Sequence, residues 1–183
     1  MTTTWVFLRG LTRETAHWGD FPQVFRQAMP QARIHLMDLP GNGRRHLDTS
    51  PASVAGMVQA CRAALIRERI DAPVHLLAMS LGAMVAMQWA HEAPDEVAAG
   101  VLINTSVRPF SPFYHRLQPH NYPTLLRLAL SGAAPLDTER AVLRMTSQQP
   151  WQHEGVLQAW VDARRQRPVS ARNALRQILA AAT

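Results

Sequence analysis

Apolar and polar positions alternate in blocks along the chain from Trp5 to Ile103. Short apolar runs, typical of strands buried on both faces, are separated by longer segments in which apolar residues recur at helical spacing. The predicted strands are Trp5–Leu8, Ile34–Met37, Val74–Ala78 and Gly100–Ile103. The predicted helices between them are Phe21–Met29, Ser53–Arg69 and Leu81–Ala93. This alternation predicts an α/β fold with a doubly wound, mainly parallel sheet, right-handed crossovers and helices on both faces.

The chain from Pro109 onward is predicted to be helical, with prolines between the pieces. The predicted helices are Tyr122–Leu130, Thr138–Met145, Trp151–Gln166 and Ser170–Ala182. We therefore divide the chain into a core, residues 1–108, and a helical cap segment, residues 109–183. The apolar spacing of Val156, Leu157, Trp160 and Val161 gives one helix an apolar face. The sequence leaves open whether that face packs on the core or lines a substrate pocket.

The third predicted strand ends at Ser80, and a helix begins directly after it. Small residues flank this serine, with Ala78 two positions before it and Gly82 two positions after it. In a nucleophile elbow, strand and helix pass so closely that only small residues fit, and the turn lifts the serine hydroxyl clear of the sheet. The N–H groups at the start of the helix then face an oxygen held beside the hydroxyl, which suits acyl transfer. The alternative is a serine that only caps the helix.

Glycine-containing loops follow the first two predicted strands. Arg9-Gly10-Leu11 follows the first strand, and the turn from Asp38 to Gly43, with glycines at 41 and 43, follows the second. We expect these glycines either to let another chain segment approach the backbone closely or to adopt a positive φ. Asp38 is interpreted as a carboxylate that stabilises the turn rather than as a catalytic acid.

These three places, in this order, resemble the alpha/beta-hydrolase family over about Trp5 to Thr105. Within the family the chain looks most like small bacterial carboxylester hydrolases, similar to pimeloyl-carrier-protein methyl ester esterases. The resemblance implies that Ser80 is the nucleophile of an acyl-enzyme mechanism and that the backbone N–H groups of Leu11 and Leu81 form the oxyanion hole. Gly10 and Gly82 would be the loop and elbow glycines. The implied partner is a small-molecule or carrier-bound ester, with no metal or other cofactor.

The chain departs from the family pattern at several positions. Arg9 and Asn42 stand where the family usually has histidine. We expect Arg9 to be a solvated loop arginine, although its place beside the oxyanion loop would also favour an acidic group on the substrate. In the family the triad acid and histidine follow the serine in late loops. No carboxylate stands directly after the strand Gly100–Ile103, where residues 104–106 are Asn, Thr and Ser, and the helical pattern continues to Ala182. We therefore expect that the chain is truncated before the acid and histidine. We also expect this chain on its own to turn over model esters poorly.

The eight histidines are not expected to rebuild the missing base. Four of them are interpreted as structural or solvent-facing: His35, His46, His75 and His91. Four others lie in the oxyanion loop or the helical segment, within conceivable reach of Ser80: His17, His115, His120 and His153. A working base also needs an acid that orients it, so we interpret these as ordinary loop and surface histidines.

Composition narrows the function classes. The net charge of +6 comes from arginines scattered through every predicted element, with no lysine, which indicates compositional bias rather than a nucleic-acid surface. No apolar stretch is long enough to span a membrane, and the N-terminus does not resemble a signal peptide. The single Cys61 is interpreted as a small core or surface residue, which fits a cytoplasmic protein.

Two main interpretations of function remain open, and a third, a nucleic-acid binder, is kept only because of the net charge. The first is a serine esterase completed by residues absent from this chain. The second is a non-catalytic interaction module that kept the fold. In either case a sheet that ends at the strand Gly100–Ile103 exposes an edge, and we expect self-association or a companion chain there.

Overall fold

The computed structural model describes residues 2–107, 110, 121, 123–124, 134–149 and 154–182. Four parallel strands form a sheet in the order β2-β1-β3-β4. The strands are β1 (Thr3–Leu8), β2 (Ala32–Met37), β3 (Val74–Met79) and β4 (Val97–Ile103). The helices are α1 (Phe21–Ala28), α2 (Val54–Arg67), α3 (Leu81–Glu92), α4 (Pro135–Thr146), α5 (Leu157–Gln166) and α6 (Ala171–Ala182). The predicted fold class, a parallel sheet flanked by helices, is confirmed.

The predicted strands and the helices between them are all present. The largest difference is at β4, which begins at Val97 rather than at Gly100 because the preceding alanine-containing residues pair with the start of β3. Alanine favours strands only weakly, so this extension depends on tertiary pairing. In the second part of the chain, the described helices α4, α5 and α6 match three predicted helices. Of the predicted helix Tyr122–Leu130 only residues 123 and 124 are described, and both are helical; the predicted start at Trp151 lies outside the described residues.

Apolar side chains alternate along β1 and β3 and so fill a core on each face of the sheet. On one face, Val6 and Leu76 are fully buried against α2 and α3, whose inward residues include Trp89 and Cys61. The interpretation of Cys61 as a small core residue is confirmed, and burial raises the pKa of its thiol to about 12. On the other face, the ring of Phe7 lies among the aromatic residues of α1 and of the turn before it.

Helix α6 lies against the core through an unusual number of polar contacts. Ala180 joins the apolar core, whereas Asn173 is buried beside the turn after β2. The Asn173 side chain accepts a hydrogen bond from the Ser50 N–H at 2.9 Å and donates one to the Asp48 carbonyl at 2.9 Å. The division between core and helical cap segment at residue 108 stays a prediction, but α6, within residues 109–183, contacts the core.

Among the described residues, no helix is both long and apolar enough to cross a membrane.

Candidate active site

Ser80 forms the turn between β3 and α3 in a strained backbone conformation. Its φ is 54° and its ψ is −120°, a region that residues with a side chain rarely adopt. The Ser80 N–H donates to the carbonyl of Ile103 at 2.9 Å, and the Thr105 hydroxyl donates to the Ser80 carbonyl at 3.2 Å. Both partners belong to β4 or follow it directly, so the neighbouring strand holds the turn in place.

Glycines at 10 and 82 bring the end of β1 against this turn. A Cβ atom on Gly82 would lie 2.6 Å from the Arg9 carbonyl oxygen and 2.7 Å from that of Leu8. A Cβ atom on Gly10 would lie 2.9 Å from the Ser80 Cβ and 3.3 Å from its Oγ. Real Cβ atoms essentially never lie within 3.0 Å of another heavy atom outside their own residue and its neighbours, so both positions exclude a side chain. The structure thus brings the two glycine-flanked segments together at the carboxyl ends of β1 and β3.

Leu11 and Leu81 lie on the two sides of this junction. Leu81 is the first residue of α3, where backbone N–H groups have no partner within the helix. Leu11 follows Gly10 and packs against the core. Within the part of the chain that the structure describes, neither N–H group donates a hydrogen bond. Their assignment to an oxyanion hole stays a prediction.

The loop that carries Leu11 is tied to surrounding elements by buried hydrogen bonds. The Thr12 N–H donates to the Gln177 side chain of α6 at 2.8 Å, and the same side chain donates to the Asn42 amide oxygen at 2.8 Å. The Asn42 amide in turn donates to the Arg13 carbonyl at 3.0 Å. Asn42 and Gln177 are both fully buried. Asn42, which stands where the family usually has histidine, therefore links the glycine turn to this loop.

Asp38 fixes the same loop from the second strand. Its carboxylate accepts hydrogen bonds from the N–H groups of Thr15 at 2.7 Å and Arg44 at 2.9 Å. Gly43 has a φ of 52°, and a Cβ there would lie 2.2 Å from the Asp38 carboxylate. Burial raises the pKa of Asp38 above its usual value. The interpretation of Asp38 as a turn-stabilising carboxylate is confirmed.

Buried ion pairs connect the loop to α4 and α5. Glu139 of α4 is completely buried and pairs with both Arg13 of the loop and Arg164 of α5, the latter at 2.5 Å. Glu14 is also buried and pairs with Arg167 at 2.7 Å. Sequence reasoning missed these partners because two of the three pairs join residues more than 100 positions apart.

Arg9 is not the solvated loop arginine that the sequence suggested. Its side chain is only partly exposed, and its guanidinium carbon lies 4.9 Å from the centre of the Trp18 ring. One terminal nitrogen lies 3.2 Å from the sulfur of Met79, the residue before Ser80. Burial, together with the nearby positive charge of Arg13, lowers the pKa of Arg9 to about 10.

The histidine nearest to the loop is buried rather than on the surface. The His17 Nδ1 atom lies 3.1 Å from the Glu14 N–H, which fits a neutral ring that accepts at this nitrogen. Burial, and after it the charges of Arg13 and Arg9, lower the pKa of His17 to about 3. The His17 ring lies 5.7 Å from that of Trp160, and no contact joins it to Ser80. The interpretation of His17 as a surface histidine is therefore wrong.

The other described histidines also lie away from Ser80. His35 pairs with Glu68 at 2.8 Å, His75 stacks on Trp5 at 4.9 Å, and His46 contacts the Gly43 carbonyl at 2.9 Å. The three remaining candidates lie outside the described residues: His115, His120 and His153. Within the described ranges no histidine or carboxylate contacts Ser80, and no group of three or more His, Cys, Asp or Glu side chains is placed to hold a metal ion.

The model of the alpha/beta hydrolase family matches residues 5–182. The chain is 35% identical over 92 residues to a pimeloyl-(acyl-carrier protein) methyl ester esterase from Chromobacterium violaceum, which covers 50% of this chain and 34% of that protein. It is 38% identical over 95 residues to an esterase of the same name from Edwardsiella ictaluri, covering 49% of this chain and 34% of that protein. The matches therefore span about a third of the length of these curated relatives.

Solved structures share the fold at lower identity. A hydrolase from Pseudomonas aeruginosa superimposes with a TM-score of 0.72 at 17% identity, covering 99% of this chain and 64% of that one. A thermophilic esterase from Thermogutta terrifontis gives a TM-score of 0.69 at 19% identity, covering 100% and 64%. At these identities the likeness shows the arrangement of sheet and helices alone.

The close crossing of β1 and α3 beside Ser80 predicts opposite effects of two small substitutions. We expect Gly82→Ala to lower the free energy of unfolding by about 1–3 kcal/mol, because its methyl group overlaps backbone oxygens of β1. The free energy of unfolding of Ser80→Gly should be about 1 kcal/mol higher than that of Ser80→Ala, because glycine adopts a positive φ without strain. Urea unfolding measures both. Gly155→Ala is the matched control, since no atom lies within 4 Å of a Cβ at that position. Equal losses from Gly82→Ala and Gly155→Ala would contradict the crossing.

The buried His17 predicts a loss of stability in mild acid. The pKa of His17 is about 3 in the folded protein against an ordinary 6.5, so the unfolded chain takes up the proton first. This contribution to stability is present above pH 6.5 and is lost as the pH falls toward 3. Relative to His17→Asn, which keeps an acceptor for the Glu14 N–H, the wild type should lose about 1.4 kcal/mol per pH unit between pH 6 and 4. Urea unfolding at several pH values measures the difference, with exposed His91→Asn as control. Parallel curves for wild type and His17→Asn would refute it.

Proposed function

Because the chain belongs to the alpha/beta hydrolase family, we propose that it is a serine hydrolase acting on carboxylic esters, with Ser80 as the nucleophile. The observation that carries this proposal is the backbone of Ser80, held at a φ of 54° between β3 and α3. A capping serine does not need this conformation, since capping residues adopt ordinary extended backbone angles. The strained turn therefore favours a nucleophile elbow over the capping alternative.

The proposed reaction proceeds through an acyl-enzyme. The Ser80 Oγ attacks the carbonyl carbon of the ester while a base accepts its proton, and the tetrahedral oxyanion receives hydrogen bonds from the Leu11 and Leu81 N–H groups. The carbon–oxygen bond to the alcohol then breaks, and the alcohol leaves with a proton. Water attacks the acyl-enzyme in the same manner and releases the acid and Ser80. The N-terminus of α3 adds its positive dipole end to the oxyanion site.

The base and its orienting acid would come from outside the described residues, because no described histidine or carboxylate contacts Ser80. Without a base, the serine hydroxyl is a weak nucleophile, and only the oxyanion site and binding contribute. The curated relatives are named for a methyl ester of an acyl-carrier protein, which supports a small-molecule or carrier-bound ester as the substrate class. The expectation of a cytoplasmic protein remains a prediction from sequence.

The alternative function, a non-catalytic interaction module, is favoured by this same lack of a base near Ser80. The two functions differ in the reactivity that they predict for the serine. A module that kept only the fold has no need to keep a strained serine beside unpaired N–H groups. Covalent reaction at Ser80 therefore separates them.

The outer edge of β4 supports a further proposal about partners. Val101 and Leu102 of β4 are 44% and 42% exposed, and no described strand pairs with this edge. Leu175, Ile178 and Leu179 form an exposed apolar stripe on α6 at helical spacing. An open strand edge pairs readily with another strand, and apolar patches mark association sites. We propose that the isolated chain associates with a second copy through this edge.

Labelling with a fluorophosphonate tests the nucleophile. We expect intact-mass spectrometry to show one slow covalent addition to the wild type and none to Ser80→Ala. Ser106→Ala, which removes another partly buried serine close to the end of β4, should label like the wild type. Turnover of p-nitrophenyl acetate and butyrate should be poor. Labelling that persists in Ser80→Ala would refute the nucleophile, and fast Ser80-dependent turnover would show that the chain holds a base.

Light scattering coupled to size exclusion tests the association. We expect species larger than the 20.4 kDa chain, shifting toward smaller ones on dilution. Val101→Lys should favour the smaller species, because a charged residue on an edge strand opposes pairing. A stable 20.4 kDa monomer that binds no dye for exposed apolar surface would contradict the proposal.

A further inference from the structure

Buried side-chain nitrogens without partners are concentrated in the loop after β1. Arg9 Nε, Arg13 Nη2 and His17 Nε2 are all buried and have no hydrogen-bond partner among the described residues. Buried polar groups in folded proteins are nearly always hydrogen-bonded, because an unpaired donor loses its water without compensation. Three such nitrogens within nine positions leave this loop with more hydrogen-bond donors than the described acceptors satisfy.

Positive charge exceeds negative charge around these nitrogens. Glu139 is shared between Arg13 and Arg164, and Glu14 is bonded to Arg167. Arg9 forms no ion pair with a described carboxylate, although it lies close enough to Arg13 for that charge to lower its pKa. The neutral His17 adds no charge, and its Nε2 carries the remaining proton of the ring. An anion beside Arg9 would offset this excess.

The Arg9 guanidinium is held by contacts with two neighbouring side chains. The Trp18 ring covers it, and its Nη1 lies 3.2 Å from the sulfur of Met79, the residue before Ser80. Gly10, the residue after Arg9, lies directly against Ser80. The side chain keeps partial exposure, so a ligand in the site has access to it.

We propose that Arg9 binds a carboxylate carried by the substrate, so that the ester attacked by Ser80 is a half ester of a dicarboxylic acid. A carboxylate matches the planar guanidinium in charge and accepts charge-assisted hydrogen bonds from it. Arg13 adds positive charge to the surroundings of Arg9 while its own guanidinium stays paired with Glu139. The bound carboxylate takes no part in bond breaking; it orients the ester at the other end of the acyl chain toward Ser80.

This inference rests on the proposed function for its reaction but not for its binding site. The same guanidinium chemistry would also take a small free anion, and the two sources differ in what else the ligand carries. A substrate carboxylate gains affinity from an acyl chain that reaches toward Ser80. A free anion such as acetate gains none.

Calorimetric titration with non-natural probes tests the site. We expect monomethyl glutarate and monomethyl adipate to bind the wild type at least about tenfold more tightly than the dimethyl esters or acetate, because the uncharged esters lose the charge-assisted hydrogen bonds. Arg9→Gln should abolish the preference for the half ester, and Arg9→Lys should retain part of it. Arg33→Gln, which removes an exposed arginine from β2, is the matched control and should bind like the wild type.

Three results would overturn the inference: equal binding of half esters and dimethyl esters, a preference that survives in Arg9→Gln, or acetate binding as tightly as the half ester. Thermal unfolding verifies that each variant is folded. If Arg9→Gln does not fold, the binding preference of Arg9→Lys is compared with the wild type instead. Fluorophosphonate labelling distinguishes a failure of the carboxylate site from a failure of the proposed function. If Ser80 is labelled while half esters do not bind through Arg9, the inference fails and the proposed function stands. If half esters bind but Ser80 is never labelled, the function fails and the carboxylate site stands.

Discussion

The structure depends on the absence of a side chain at position 82. The start of α3 lies so close to the end of β1 that a methyl group there would overlap two carbonyl oxygens. This contact brings Gly10 against Ser80 and places the loop after β1 beside the start of α3. The strain at Ser80 is maintained because hydrogen bonds from β4 and the following residues hold the turn on its other side. One close packing contact therefore determines the geometry of the whole candidate site.

Features of the site that depend on local sequence are predicted well, and those that depend on distant partners are not. Short-range steric needs leave a mark in adjacent residues, and they account for the sharp turn at Ser80, the glycines around it and the turn carboxylate Asp38. The fold follows from the alternation of apolar runs for the same reason. The environment of Arg9 does not, because the Trp18 ring and the sulfur of Met79 meet it only after the chain has folded.

Buried polar residues on helices are the second kind of feature that sequence reasoning missed. Glu139 has the appearance of an ordinary solvent-facing residue of a helix, yet it is completely buried between two arginines. Such a buried ionic group contributes little net stability compared with well-packed apolar residues, but losing one partner is costly. The arrangement therefore favours one relative position of the loop, α4 and α5 over others. The loop that would supply the Leu11 N–H cannot shift without breaking contacts to both helices.

Helix α6 illustrates a different use of buried polar groups. Asn173 and Gln177 hold it by directional hydrogen bonds to the glycine turn and the loop after β1, whereas Ala180 alone among its fully buried residues is apolar. Apolar contacts tolerate a rotated or shifted helix, but amide hydrogen bonds do not, since a rotation by one residue separates every donor from its acceptor. These buried hydrogen bonds therefore fix the rotation of α6 about its own axis. The direction in which its exposed apolar face, with Leu175, Ile178 and Leu179, points is therefore fixed as well.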